Sequence, residues 1–184
     1  MAREAASNRR LVAALEEVFA RCADRPSIVA EDAHPRCVIT FGQLAARVAR
    51  VASALRRRDF KPGDILPIWA DRSPDSVAVA LAAIFGGGGF CWLNDLYPTA
   101  TRRRVLALLG ARWLAVGDSR REQWATGEDL GAPLERLDPS CEPDVETLWV
   151  ETLLGSDSSR ETKGAACVLF TSGSTGAPKG VLIA

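Results

Sequence analysis

Apolar positions recur along the chain with two periods. Between Arg9 and Arg21, Leu11, Val12, Leu15, Val18 and Phe19 fall at helical spacing. Pro26 breaks that pattern. SIVA (27–30) and CVIT (37–40) are short apolar runs separated by the turn DAHPR (32–36), which predicts a hairpin. Thr40 then opens T-F-G-Q. A Thr hydroxyl can accept from the amide three residues on, and the Gln43 side chain can accept from the Thr amide, so a capping box and a helix start are expected there. Leu44, Val48, Val51, Ala52 and Leu55 make one apolar face of that helix, and Arg47, Arg50 and Arg56–Arg58 are assigned to its solvated face.

Residues 65–117 alternate more regularly. After the turn KPGD (61–64), ILPIWA (65–70) reads as a buried strand, to which Pro67 is an objection if the strand is central. Ser73-Pro74 is a helix start, with Ser as cap and Pro at the first helical position. That helix runs to about Phe85, where Gly86–Gly89 end it. The four glycines have no dependable meaning by themselves. FCWL (90–93) is the next strand. Pro98-Thr99 opens a further helix with Gly110 at its end, and RWLAVG (112–117) is a strand. Continuous apolar strands alternating with helices predict an α/β fold: a parallel sheet with helices on both faces and right-handed crossovers. Residues 77–93 carry no charge, but the glycines interrupt them and they fall short of the roughly 20 residues of a spanning helix. A buried helix, a glycine turn and a buried strand are expected instead, and no membrane. Residues 118–164 are rich in charge and proline, and irregular polar excursions are expected, with a short strand at LWV (148–150) and a polar connector at 155–164.

Composition narrows the class. The chain has 184 residues, 47% of them apolar and 25% charged, which suits one globular domain. Lys plus Arg equals Asp plus Glu at 23, so the net charge is zero and the basic footprint of a nucleic-acid binder is missing. Five cysteines (Cys22, Cys37, Cys91, Cys141 and Cys167) lie at no metal-ligand spacing. Three of them sit inside apolar runs, so buried free thiols and a reducing cytoplasm are expected, with no metal site. The N-terminus lacks the apolar stretch of a signal peptide. His34, the one histidine, lies in a Pro-flanked turn and reads as an exposed loop residue.

The chemistry concentrates at the end of the chain. AACVLF (165–170) is an apolar strand that runs into TSGSTGAPKG (171–180), after which VLIA (181–184) resumes a strand. Gly173, Gly176 and Gly180 allow backbone amides to converge on an anion. Thr171, Ser172, Ser174 and Thr175 supply hydroxyl donors, and Lys179 supplies a point charge suited to phosphate oxygens. This is a phosphate-binding design. The Walker spacing fails, because Gly176 is followed by Ala177-Pro178-Lys179 and not by Lys-Ser or Lys-Thr. The G-x-S-x-G elbow and the G-x-G-x-x-G fingerprint do not occur. A serine hydrolase of the amidase kind would need a Ser-Ser-Lys set, for which Lys163 is the one lysine close upstream.

At these residues the chain resembles the adenylate-forming (AMP-binding) enzymes, a superfamily of acyl-CoA synthetases, luciferases and nonribosomal peptide synthetase adenylation domains. TSGSTGAPKG is similar to their signature loop and is intact. ITFGQL (39–44) resembles their early T-Y-x-E-L segment. GGFCWLNDLYPTATRRRV (88–105) resembles the G-A-Y-x-P-L-D-P-x-Y-P-x-x-R segment of the peptide-synthetase branch. Leu93, Tyr97 and Pro98 are kept there, while Trp92, Asn94 and Asp95 stand where that pattern has Pro, Asp and Pro.

The resemblance implies the incomplete N-terminal part of the large domain of such an enzyme, with 1–184 ending just after the phosphate loop. In these enzymes a carboxylate attacks the α-phosphate of ATP, pyrophosphate leaves with Mg²⁺, and the acyl group then passes to CoA or to a phosphopantetheine carrier protein. By resemblance Thr171, Ser172, Gly173, Ser174, Thr175, Gly176, Lys179 and Gly180 grip ATP, and none of them is the catalytic lysine, which lies downstream in the family. The expected partners are ATP and a carboxylic acid, with an amino acid favoured over a fatty acid. Residues 1–184 by themselves are expected to be inactive and marginally folded. A non-catalytic pseudoenzyme or binding remnant is the alternative.

Overall fold

The computed structural model describes residues 2–30, 37–125, 135–137, 148–152, 164–172 and 178–183. Helix α1 spans Ala2–Arg21 and begins before the expected stretch. Strands β1 (Pro26–Ala30) and β2 (Cys37–Thr40) pair antiparallel as the expected hairpin. Thr40 ends β2 and caps helix α2 (Phe41–Arg57): the Gln43 amide donates to Thr40 Oγ1 at 3.2 Å, and the Thr40 amide donates to Gln43 Oε1 at 2.8 Å. Strand β3 (Ile65–Trp69), helix α3 (Pro74–Phe85), strand β4 (Gly89–Trp92), helix α4 (Thr99–Leu109) and strand β5 (Trp113–Gly117) follow in the expected alternation. Ser73 caps α3, and its hydroxyl accepts from the Ser76 amide. Gly110 closes α4 in the left-handed conformation, φ 58°. No helix among the described residues is long and apolar enough to cross a membrane.

The segment 118–164, expected to hold irregular excursions and a short strand at 148–150, has helix α5 (Asp118–Ala125) and strand β6 (Glu135–Leu137) as well as strand β7 (Leu148–Thr152) among its described residues. The reason lies in β5. That strand would otherwise be an edge, and β7 covers it by pairing antiparallel from Trp113 to Gly117. Strand β8 (Cys167–Ser172) and strand β9 (Pro178–Ile183) complete the sheet. Its order is β6-β7-β5-β3-β4-β8-β9, with β5, β3, β4 and β8 parallel and antiparallel strands on both sides of them.

Helices cover both faces, as expected. Alternate residues of β3 divide between two cores: Leu66 and Ile68 pack with α2 and α3, and Ile65 and Trp69 with Val105, Leu106 and Leu109 of α4. Phe19 of α1 stacks on Phe85 of α3, ring centroids 6.0 Å apart. Pro67 is tolerated in a central strand because of parity. The Ile68 carbonyl accepts from Leu93 on the β4 side, so residue 67 faces β5, whose pairing with β3 begins at Ile68.

Two positions correct the sequence reading. Arg47, assigned to the solvated face of α2, is buried at 3% exposure, and its Nη1 donates to Asp75 Oδ1 of α3 at 2.8 Å. Arg50, Arg56 and Arg57 are exposed as expected. The glycine run acquires a meaning from packing. A Cβ on Gly89 would lie 2.2 Å from the Ala165 carbonyl oxygen, and one on Gly88 would lie 2.3 Å from that of Asp64. Strands β3, β4 and β8 close on one another only without those side chains. Cys91 is the buried thiol expected, whereas Cys37 and Cys167 are half-buried; all three are free. Cys141 and His34 lie outside the described residues.

Candidate functional site

Parallel strands that run the same way deliver their following loops to one edge of a sheet, and ligands of α/β folds bind outside those carboxyl ends. Here β3 delivers Asp71 and Arg72, and β4 delivers Asn94, Asp95 and Tyr97. With Trp92 and with Leu169 and Phe170 of β8 they wall a cleft of about 700 Å³. Its lining mixes apolar side chains with a few polar ones, the composition of a small-molecule site.

The expected phosphate loop grows out of the same edge. β8 and β9 form an antiparallel hairpin in which Phe170 faces Gly180, Thr171 faces Lys179 and Ser172 faces Pro178. Residues directly opposite in such a ladder share a face. The hydroxyl of Thr171 and the ammonium of Lys179 therefore issue from one side of the hairpin, and both residues are exposed. Gly180 leaves room for the Phe170 ring opposite it, which a Cβ there would meet at 3.3 Å. Phe170 thus links hairpin and cleft. Gly173, Ser174, Thr175 and Gly176 lie outside the described residues, and for Ser172 the backbone register alone is described.

A group that the sequence reading did not single out stands behind the cleft. Arg120, in the first turn of α5, donates from Nε to Asp95 Oδ1 at 2.8 Å and from Nη2 to Asp95 Oδ2 at 2.7 Å. The same Nη2 lies 2.7 Å from Asp71 Oδ1. Ser119 Oγ donates to Asp71 Oδ2 at 3.0 Å, and the Trp69 indole donates to Asp95 Oδ1 at 2.9 Å. The guanidinium of Arg102 lies 3.9 Å above the Trp69 ring. Hydrogen bonds from Arg120 hold the carboxyls of both Asp71 and Asp95 below the usual carboxylate range, and those two carboxylates in turn keep Arg120 charged. One signal could have revealed this group. Asp71 and Asp95 each follow an apolar strand within three residues, where a parallel sheet places its site.

Among the described residues no group of three or more His, Cys, Asp or Glu side chains could hold a metal ion. The donor set around the hairpin is cationic and hydroxylic, which suits an anion.

Residues 15–184 match the family of AMP-binding enzymes. The chain belongs to that family. Over 161 residues it is 32% identical to the nonribosomal peptide synthetase flvI of Aspergillus flavus, a match covering 87% of this chain and 14% of that protein. The Klebsiella oxytoca NpsA N-terminal subdomain, solved in complex with anthranilyl-AMSN, is similar with a TM-score of 0.62 at 26% identity, over 92% of this chain and 40% of that one. O-succinylbenzoate coenzyme A synthetase (MenE) of Bacillus subtilis, solved with AMP, shares the fold with a TM-score of 0.64 at 22% identity, over 91% and 41% of the two chains. This chain thus spans a minor part of each relative's length.

Proposed function

We propose that residues 1–184 are the phosphate-gripping N-terminal portion of an ATP-dependent, carboxylate-activating ligase. A carboxylate oxygen of the substrate attacks the α-phosphorus of ATP. The bond from that phosphorus to the bridging oxygen of the pyrophosphate breaks, and an acyl- or aminoacyl-adenylate remains. The observation that carries this reading is the intact TSGSTGAPKG segment on a hairpin whose stems set Thr171 opposite Lys179 beside the cleft. Membership of the AMP-binding family supports it.

The loop neither attacks nor transfers a proton. Its task is to bind the β- and γ-phosphates, which become the leaving group, and to offset the charge that accumulates on them as the bond breaks. Lys179 supplies the point charge. Thr171, Ser172, Ser174 and Thr175 supply hydroxyl donors, and Gly173, Gly176 and Gly180 let amides turn toward the anion. Mg²⁺ arrives with the nucleotide as its counter-ion. The acyl group passes on to a thiol, and the likeness to flvI supports an amino acid loaded on a phosphopantetheine carrier over a fatty acid loaded on CoA. Reaction in the cytoplasm fits those partners.

The test is ATP–pyrophosphate exchange by the native polypeptide that contains these residues, against a panel of amino acids and aryl acids. Exchange that depends on one carboxylate supports the reading. No exchange with any of them, from a folded protein, overturns it.

A further inference from the structure

We propose that Arg120 is a positioning residue, which holds the two loops walling the cleft at one spacing and so keeps the cleft in the shape that adenylate formation uses. The proposal rests on the adenylate-forming reading above. Three loops leave β3, β4 and β5 at the same sheet edge, and Arg120 joins all of them. Its fork takes both oxygens of Asp95 after β4, its Nη2 reaches Asp71 after β3, and its own backbone opens α5 after β5. Geometry gives the arrangement a direction. The Arg120 side chain is 13% exposed, while Asp71 and Asp95 are 59% and 55% exposed. The guanidinium is therefore the buried member of the group, and the carboxylates turn their oxygens toward it and toward Ser119 while the loops that carry them line the cleft.

The local sequence shows why this chain needs such a support. Asp95 stands where the resembling segment of the peptide-synthetase branch has proline. A proline ring would fix φ and stiffen the turn by itself. Asp95 has no such ring, and its carboxylate is tied to Trp69 and Arg120 instead. Asn94 tightens the same turn by accepting from the Leu96 amide at 2.9 Å. Lysine could not replace the support, because a single ammonium lacks the planar fork that bridges two carboxylates.

The test is ATP–pyrophosphate exchange by the native polypeptide and its Arg120→Ala and Arg120→Lys variants, with and without millimolar guanidinium ion. A misplacement of about 1 Å costs on the order of 10²-fold in rate. The expected result is a loss of that size in kcat for both variants. KM for ATP should stay within about threefold, because the hairpin stems are untouched. Guanidinium should restore Arg120→Ala at least about tenfold, since a recess of about 400 Å³, lined by Trp69, Asp71, Asp95, Ser119, Gln123 and Arg120 itself, adjoins the guanidinium and gives the free ion access. Hydrogen exchange at residues 70–73 and 93–98 should rise in Arg120→Ala. Unchanged kcat in a folded Arg120→Ala, or a loss spread equally over kcat and KM for ATP with no rescue, overturns the positioning role. A native polypeptide that shows no exchange with any carboxylate overturns the underlying functional reading, and the positioning role with it.

Discussion

Removing Asp75 should destabilise the protein far more than removing any of its exposed charges. Asp75 lies in the first turn of α3 and is fully buried, and its partner Arg47 projects from α2. The 2.8 Å contact joins the two helices that cover one face of the sheet. Asp75→Ala leaves a guanidinium at 4% side-chain exposure without this partner. Breaking a buried pair from one side costs about 3–5 kcal/mol. An exposed pair such as Glu17–Arg21, with side chains 64% and 75% exposed, is worth about 0–1 kcal/mol. In a domain of this size about 1 kcal/mol moves the melting midpoint by roughly 2–4 °C, so Asp75→Ala should lower it by roughly 6–20 °C. The assay is urea unfolding followed by tryptophan fluorescence, since Trp69 and Trp113 are buried. Arg47→Met combined with Asp75→Ala should recover much of the loss, because both members of the buried ion pair are then removed together. Glu17→Ala is the exposed control. A cost below about 1 kcal/mol for Asp75→Ala, or a double variant that loses the sum of both single losses, would refute the argument.

Other consequences follow from the same packing. Gly89→Ala places a methyl 2.2 Å from the backbone carbonyl of Ala165, just before β8, so it should cost more than about 2 kcal/mol or abolish soluble expression. Burial pushes the Cys91 thiol up to about 12 from 9.0. Its folded value lies above its unfolded one, so the associated stability is complete below pH 9.0 and is lost as pH rises toward 12. Cys91→Ala should flatten that part of the stability profile, and in the native protein Cys22 should alkylate before Cys91 at pH 8 (roughly the range where free thiols begin to ionise). A polypeptide limited to residues 1–184 should give no pyrophosphate exchange, since it covers 40% of the solved NpsA chain; turnover by it would refute that expectation.

Local rules carried most of the fold. Thr40 with Gln43, Ser73 with Pro74, and Gly110 each specify a helix end by hydrogen bonds within a few residues, and each was legible. The strands were legible because burial on both sides makes them continuously apolar. What escaped was non-local. Arg47 looks solvated on its own helix, and Asp75, which receives it, is 28 residues away on another. Gly88 and Gly89 look like a generic turn until strands β3 and β8 approach them. β7 reads as a short apolar run, but its role in covering β5 belongs to the sheet order and not to the run itself. The phosphate loop was legible as chemistry because its donors are contiguous. Asp71, Asp95 and Arg120 were not, because the parallel topology assembles them from three loops.

On the proposed function, Lys179 and its hairpin grip the phosphates of ATP during adenylate formation. The most direct measurement is carboxylate-dependent ATP–pyrophosphate exchange by the native polypeptide and by its Lys179→Ala variant, with folding of both checked by circular dichroism. Lys179→Ala should lose about 10²-fold or more, with the fold intact. Equal exchange by the two folded proteins would contradict it.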